Sequence, residues 1–194
     1  MSELEVPVAN ALRGQGCRAE DLIALFNGLF QHSENTCIEA GDGEPVYLPA
    51  DGQCDYHRVV FAHGYCASVL HEVAHWCIAG EQRRRQVDYG YWYAPDGRSQ
   101  QQQQAFERVE IAPQALEWIF SQACGLRFVV SADNLSGESS DSALFKQALF
   151  TRVLELCQRG LPVRAQRFRQ QLATFYQRPD SLCAEQFSLS ELSL

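Results

Sequence analysis

Apolar residues recur at helical spacing early in the chain, where Leu22, Ile23, Leu25, Phe26, Leu29 and Phe30 predict a helix over residues 19–32. Gly41, Gly43, Pro45, Pro49 and Gly52 break that rhythm, so residues 34–56 read as loop with short extended pieces at 36–38 and 46–48. The β-branched and aromatic run Arg58-Val59-Val60-Phe61-Ala62 predicts a strand. It leads through His63-Gly64 into a second helix at about residues 65–80, closed by Gly80. On this helix Cys66, Val69, Leu70, Val73 and Cys77 form an apolar stripe, while Ser68, His71, Glu72, His75 and Ala79 share another face. Two of those five are small, which leaves room above the histidines.

Further on, residues 87–93 predict a strand, Pro95-Asp96-Gly97 a turn, and Gln100 to Gln104 form a short glutamine tract. A helix is predicted from Pro113, a residue suited to a first helical turn, with Leu116, Ile119 and Phe120 facing inward. Phe128-Val129-Val130 predicts a short strand and residues 131–137 a loop. The last third is helical, with stripes at Ala148, Leu149, Val153, Leu156 and at Phe168, Leu172, Phe175, separated by a break at Gly160-Leu161-Pro162. With no repeat or linker, the pattern predicts a single compact α+β domain, a small sheet with several helices. Its expected limits are a loosely ordered segment over 1–18, one catalytic domain over 19–180 and a C-terminal tail over 181–194.

Composition narrows the field. The formal charge of -8 argues against a nucleic-acid grip over the whole surface. No apolar run approaches the roughly 18–20 residues a membrane span needs, and the acidic start Met-Ser-Glu-Leu-Glu-Val is unlike a signal peptide. A cytoplasmic location is the expectation. The eight cysteines include no CxxC pair, so buried free thiols are expected rather than a zinc ribbon or a redox motif.

The run His71-Glu72-Val73-Ala74-His75 carries the candidate chemistry. Histidines at i and i+4 stack on one helical face, where their nitrogens can meet one divalent ion at about 2.0–2.2 Å. Glu72, beside the first histidine, is placed to take or relay a proton. A third ligand is needed, and His32, His57 and His63 are the remaining histidines. The acidic candidates are Asp88, Asp96, Glu107, Glu110 and Asp133; Glu110 is favoured, with Glu107 the second choice. Such a set leaves open positions for water, substrate or dioxygen, and the motif alone allows a zinc hydrolase or peptidase with Glu72 as general base.

The wider segment adds to this. The blocks running from His71 to Gly80, Arg83-Arg84, Asp88 to Tyr93, Pro95 to Arg98, Phe106 to Glu110, Pro113 to Trp118 and Asp133-Asn134-Leu135 together resemble the bacterial elongation factor P hydroxylase family, over about residues 19–175. The resemblance implies a non-haem iron monooxygenase, distinct from the 2-oxoglutarate-dependent jelly-roll enzymes. It would use dioxygen to hydroxylate a lysine of elongation factor P that already carries a β-lysyl group. His71, His75 and Glu110 would hold Fe(II), with Zn as the alternative metal, and Glu72 would handle protons. A long cationic side chain calls for carboxylates and aromatic faces, so Tyr91, Asp96 and Asp133 are candidate substrate contacts. Arg83-Arg84-Arg85 reads as a solvated run.

Overall fold

The computed structural model describes residues 16–62, 64–89, 99–131 and 142–192. Among them are five α-helices: α1 (Ala19–Phe30), α2 (Cys66–Ile78), α3 (Gln100–Cys124), α4 (Ser142–Arg159) and α5 (Val163–Phe175). Three strands, β1 (Thr36–Gly41), β2 (Val46–Leu48) and β3 (His57–Ala62), make one small sheet of order β1-β3-β2. β1 runs parallel to β3, with Thr36 opposite His57, and β2 runs antiparallel, with Val46 opposite Val60. The expected α+β class, small sheet and helix following a strand are all present.

β3 lies at the centre of the sheet, and its Val59, Phe61 and Ala62 are buried. The chain turns out of β3 at Gly64, whose φ of 67° is the left-handed conformation that favours glycine, and enters α2 two residues later. α2 buries Val69, Leu70, Val73, Ala74, Trp76 and Cys77, so its apolar stripe lies where the spacing predicted. Its end differs from the expectation. Gly80 does not cap it; Ala79 is extended, and Arg164 of α5 donates to the carbonyls of Trp76 (2.9 Å), Cys77 (3.1 Å) and Ala79 (2.7 Å). A guanidinium over the last carbonyls satisfies orphan acceptors and complements the negative helix end. The same group stacks 4.5 Å above the Trp76 ring.

α3 corrects the largest misreading of the pattern. It begins at Gln100, not at Pro113, and runs 25 residues, or about 37 Å. Ser99 accepts from the Gln102 N–H and the Gln102 side chain accepts from the Ser99 N–H, a reciprocal cap that starts the helix within the glutamine tract. Glutamine is a good helix former but carries no apolar periodicity. Pro113 lies inside the helix, where it removes one backbone donor. The helix closes at Gly125, with φ 75° and Leu126 N–H reaching back to Ser121 O at 2.9 Å.

The core is aromatic. Phe26 meets Trp76 edge-on at 5.0 Å and Phe168 at 6.1 Å, and Phe120 meets Phe168 at 5.2 Å. The strand predicted at 128–130 is absent; Phe128 instead stacks on Trp118 at 5.6 Å while Val129 faces out. Within residues 181–192, expected as a tail, lie two short 3-10 turns, and Phe187 after the first and Leu192 at the end of the second are buried in the core. Of the strand predicted over 87–93, Asp88 forms a single bridge to Tyr47 and the part beyond Tyr89 lies outside the described residues. All eight cysteines are free thiols; of the burial expected for them, Cys77 and Cys124 are buried and the other six only half-buried. Among the described residues no helix is long and apolar enough to cross a membrane.

Candidate metal centre

The α-helical pitch places His71 and His75 on one face of α2, with their Nε2 atoms 3.0 Å apart. α3 crosses this face and inserts Glu110, a carboxylate only 3% exposed. Its Oε1 is 3.3 Å from His75 Nε2 and its Oε2 is 3.6 Å from His71 Nε2. One donor atom from each of the three residues lies within 4.8 Å of the others, and this is the one such group among the described residues. Donors each about 2.1 Å from an ion stand about 3.0 Å apart at neighbouring octahedral corners and about 3.4 Å apart at tetrahedral ones. Two of the observed spacings, 3.0 and 3.3 Å, lie in that range and the third, 3.6 Å, is slightly longer, so the donor set fits a divalent ion in size as well as in chemistry.

Neighbouring groups hold the set in place. His71 Nδ1 is 2.8 Å from Oε2 of Glu117, a buried carboxylate two turns along α3 from Glu110. Gln114, between them, is fully buried. Its amide donates to Ser131 O at 2.8 Å and to Glu110 Oε2 at 3.4 Å, and accepts from Ser131 N–H at 3.2 Å. Burial pulls His71 toward neutrality, but Glu117 against its ring, with Glu72 and Glu110 nearby, raises it to about 10 in the metal-free protein. Burial pushes the Glu110 carboxyl up; His75, His71 and Gln114 more than offset this and leave it below the ordinary carboxylate range. Glu72 moves the other way, raised chiefly by burial against the opposing pull of the two histidines.

The three candidate ligands and Glu72 line a cleft of about 860 Å³. Ser68 and Ala79 also line it, so the small residues flanking the histidines open onto space as their positions predicted. Tyr47, Tyr65 and Tyr89 contribute aromatic surface. Glu107 is not in the group of three; it accepts from Gln103 Nε2 at 3.1 Å along its own helix. Asp88 lines the cleft but is paired with Arg83. The arginine run is only partly solvated, because Arg84 is half-buried and reaches Glu34 at 3.3 Å. Tyr91, Asp96, Asp133 and His63 lie outside the described residues. The roles of Glu117 and Gln114 escaped the sequence reading. Their spacing of seven and four from Glu110 was the available signal, once α3 is taken as one unbroken helix.

An α+β domain in which two half-buried histidines and a buried carboxylate face an open cleft has the form of a metal-dependent enzyme. A family model described as elongation factor P hydroxylase matches residues 25–187. A relative from Haemophilus influenzae, described as elongation factor P lysine hydroxylase, is 46% identical over 173 residues, covering 89% of this chain and 97% of the relative. The chain belongs to the elongation factor P hydroxylase family, and it is accordingly an enzyme of the oxidoreductase class. The zinc peptidase that the five-residue motif also allowed is not favoured, because the match spans the domain rather than the motif.

Proposed function

We propose that this protein hydroxylates a β-lysylated lysine side chain of elongation factor P in the cytoplasm, with dioxygen as co-substrate and Fe(II) held by His71, His75 and Glu110. The observation that carries the reading is this donor set opening onto the cleft in a chain of this family. Bound Fe(II) would supply the one-electron and dioxygen chemistry that no protein side chain provides. The net reaction inserts one oxygen atom into a C–H bond and reduces the other to water, with two electrons and two protons from an external reductant.

The chain's own residues define the rest. Burial makes Glu72 readier to hold a proton than an ordinary carboxylate, which suits it to donate or accept one beside the ligands. The aromatic walls suit the stem and ammonium group of a long cationic side chain. Tyr91, Asp96 and Asp133 would complete its binding; they fall in segments that follow Tyr89 and Ser131, which both line the cleft.

The test is direct. Protein purified without oxygen is analysed for metal, then given dioxygen, a reductant and elongation factor P with or without its β-lysyl group. Mass spectrometry should find one added oxygen on the β-lysylated factor and none with His71→Ala protein. Bound zinc together with peptide-bond cleavage would overturn the reading. Asp96→Asn and Asp133→Asn should raise KM for the factor while metal content stays unchanged.

A further inference from the structure

We infer that Glu117 is a positioning residue for the metal centre: it holds the proton of His71 on Nδ1 and so aims the Nε2 lone pair at the point shared with His75 and Glu110. This rests on the reading of those three residues as ligands, and it assigns a role to a residue outside that set.

The position of Glu117 is costly for a charged group. Glu117 is 7% exposed, with buried Leu116 and Trp118 as its chain neighbours. A carboxylate so placed loses its hydration and stays charged only where a partner compensates it. The partner is the His71 ring, 2.8 Å away at Nδ1. An imidazole that offers Nε2 to an ion must keep its proton on Nδ1, and a carboxylate acceptor at that distance selects this tautomer and fixes the ring plane. Geometry limits the alternatives. Glu117 meets Nδ1, whereas Glu110 and His75 both approach Nε2. The two carboxylates therefore act on opposite nitrogens of one ring. The seven-residue spacing from Glu110 brings both from the same face of α3, so a single rigid helix sets the ligand and the ring that faces it.

The experiment compares full-length wild-type protein with Glu117→Ala and Glu117→Gln. Zn(II) affinity is measured by competition with a chromophoric chelator, the visible spectrum is recorded with Co(II), and the His71 Nδ1–H resonance is followed in the Zn(II) form. Glu117→Ala should bind Zn(II) about 100-fold more weakly, with a changed Co(II) spectrum and a His71 Nδ1–H that exchanges rapidly with water. Glu117→Gln, with the same shape and one neutral acceptor, should recover part of this and lose about 10-fold. A purely structural role would lower Tm but leave the affinity, spectrum and resonance of the folded protein unchanged, and that result with Glu117→Ala overturns the inference. Should Glu117→Ala fail to fold, wild-type affinity and resonance in Glu117→Gln overturn it instead. Each readout is independent of hydroxylation. Failure to modify elongation factor P would therefore count against the proposed function and not against this role.

Discussion

Helix α2 brings His71 and His75 together by its own pitch, whereas α3 contributes Glu110 only because the two helices pack face to face. The first arrangement is local. Any helix over residues 66–78 would place the two rings one above the other. The second is tertiary, since Glu110 reaches the histidines only after both helices have buried their apolar stripes. The surroundings differ accordingly. α2 is apolar behind its two histidines, with Val69, Leu70 and Val73 fully buried. α3 carries a buried polar row of Glu110, Gln114 and Glu117 along the face that meets α2. Such a row is tolerable only when each member has a partner, and each has one at the centre or at Ser131. A motif therefore marks one half of the candidate metal site, and the other half is a pattern of satisfied buried polar groups.

Removing ligands should break the comparison most severely. His75→Ala and Glu110→Ala should each weaken Fe(II) or Zn(II) binding by more than about 100-fold, while Glu107→Ala stays near wild type, as read by metal content after dialysis. Loss of metal in Glu107→Ala alone would place the third ligand one turn away from the packed face. Next in size is Arg164→Ala, which strips the charged donor from three carbonyls at the end of α2. A cost of about 2 kcal/mol, or a Tm lower by roughly 4–8 °C in thermal melts, is expected. An unchanged Tm would mean that α2 is held by its apolar face alone. Gln114→Ala should lower metal affinity by about 10-fold, because Glu110 loses its tether to Ser131. An equal affinity would show that packing against α2 suffices to place the carboxylate.

The smallest effect lies away from both helices and serves as their control. Burial, with a contribution from Arg84, lowers the pKa of His57 below its ordinary value of 6.5, and its Nδ1 accepts from the Ala50 N–H at 2.8 Å. The folded state therefore binds this proton less readily than the unfolded chain. Stability from this residue is complete above about pH 6.5 and declines as the pH falls toward the lowered folded value. Urea midpoints at pH 7.5 and 5.5 should show a slightly larger drop for wild type than for His57→Gln. The reverse order would contradict the sign.

Legibility from sequence follows the same division. α1, β3, α2 and the break between α4 and α5 were readable because apolar spacing or a breaker residue marks them. The start of α3 was not, since Gln100 to Gln104 have helical propensity without periodicity and Pro113 imitates a first turn. That error concealed the face shared by Glu110 and Glu117, leaving Glu107 and Glu110 as competing choices. The end of α2 was misassigned to Gly80 because an arginine 88 residues away from Trp76 cannot be read locally.

That distance also sets an order of events during synthesis. At about 5–20 residues per second, several seconds separate the appearance of the histidine helix from that of the side chain that closes it. In the later part of that interval, once Glu110 has been made, the nascent chain carries the histidine pair and the carboxylate but not the arginine that meets the end of their helix. A chain truncated before α5 would keep the complete donor set and lack the clamp that finishes its support, so possession of the ligands and possession of a finished centre are separate milestones in the life of this protein.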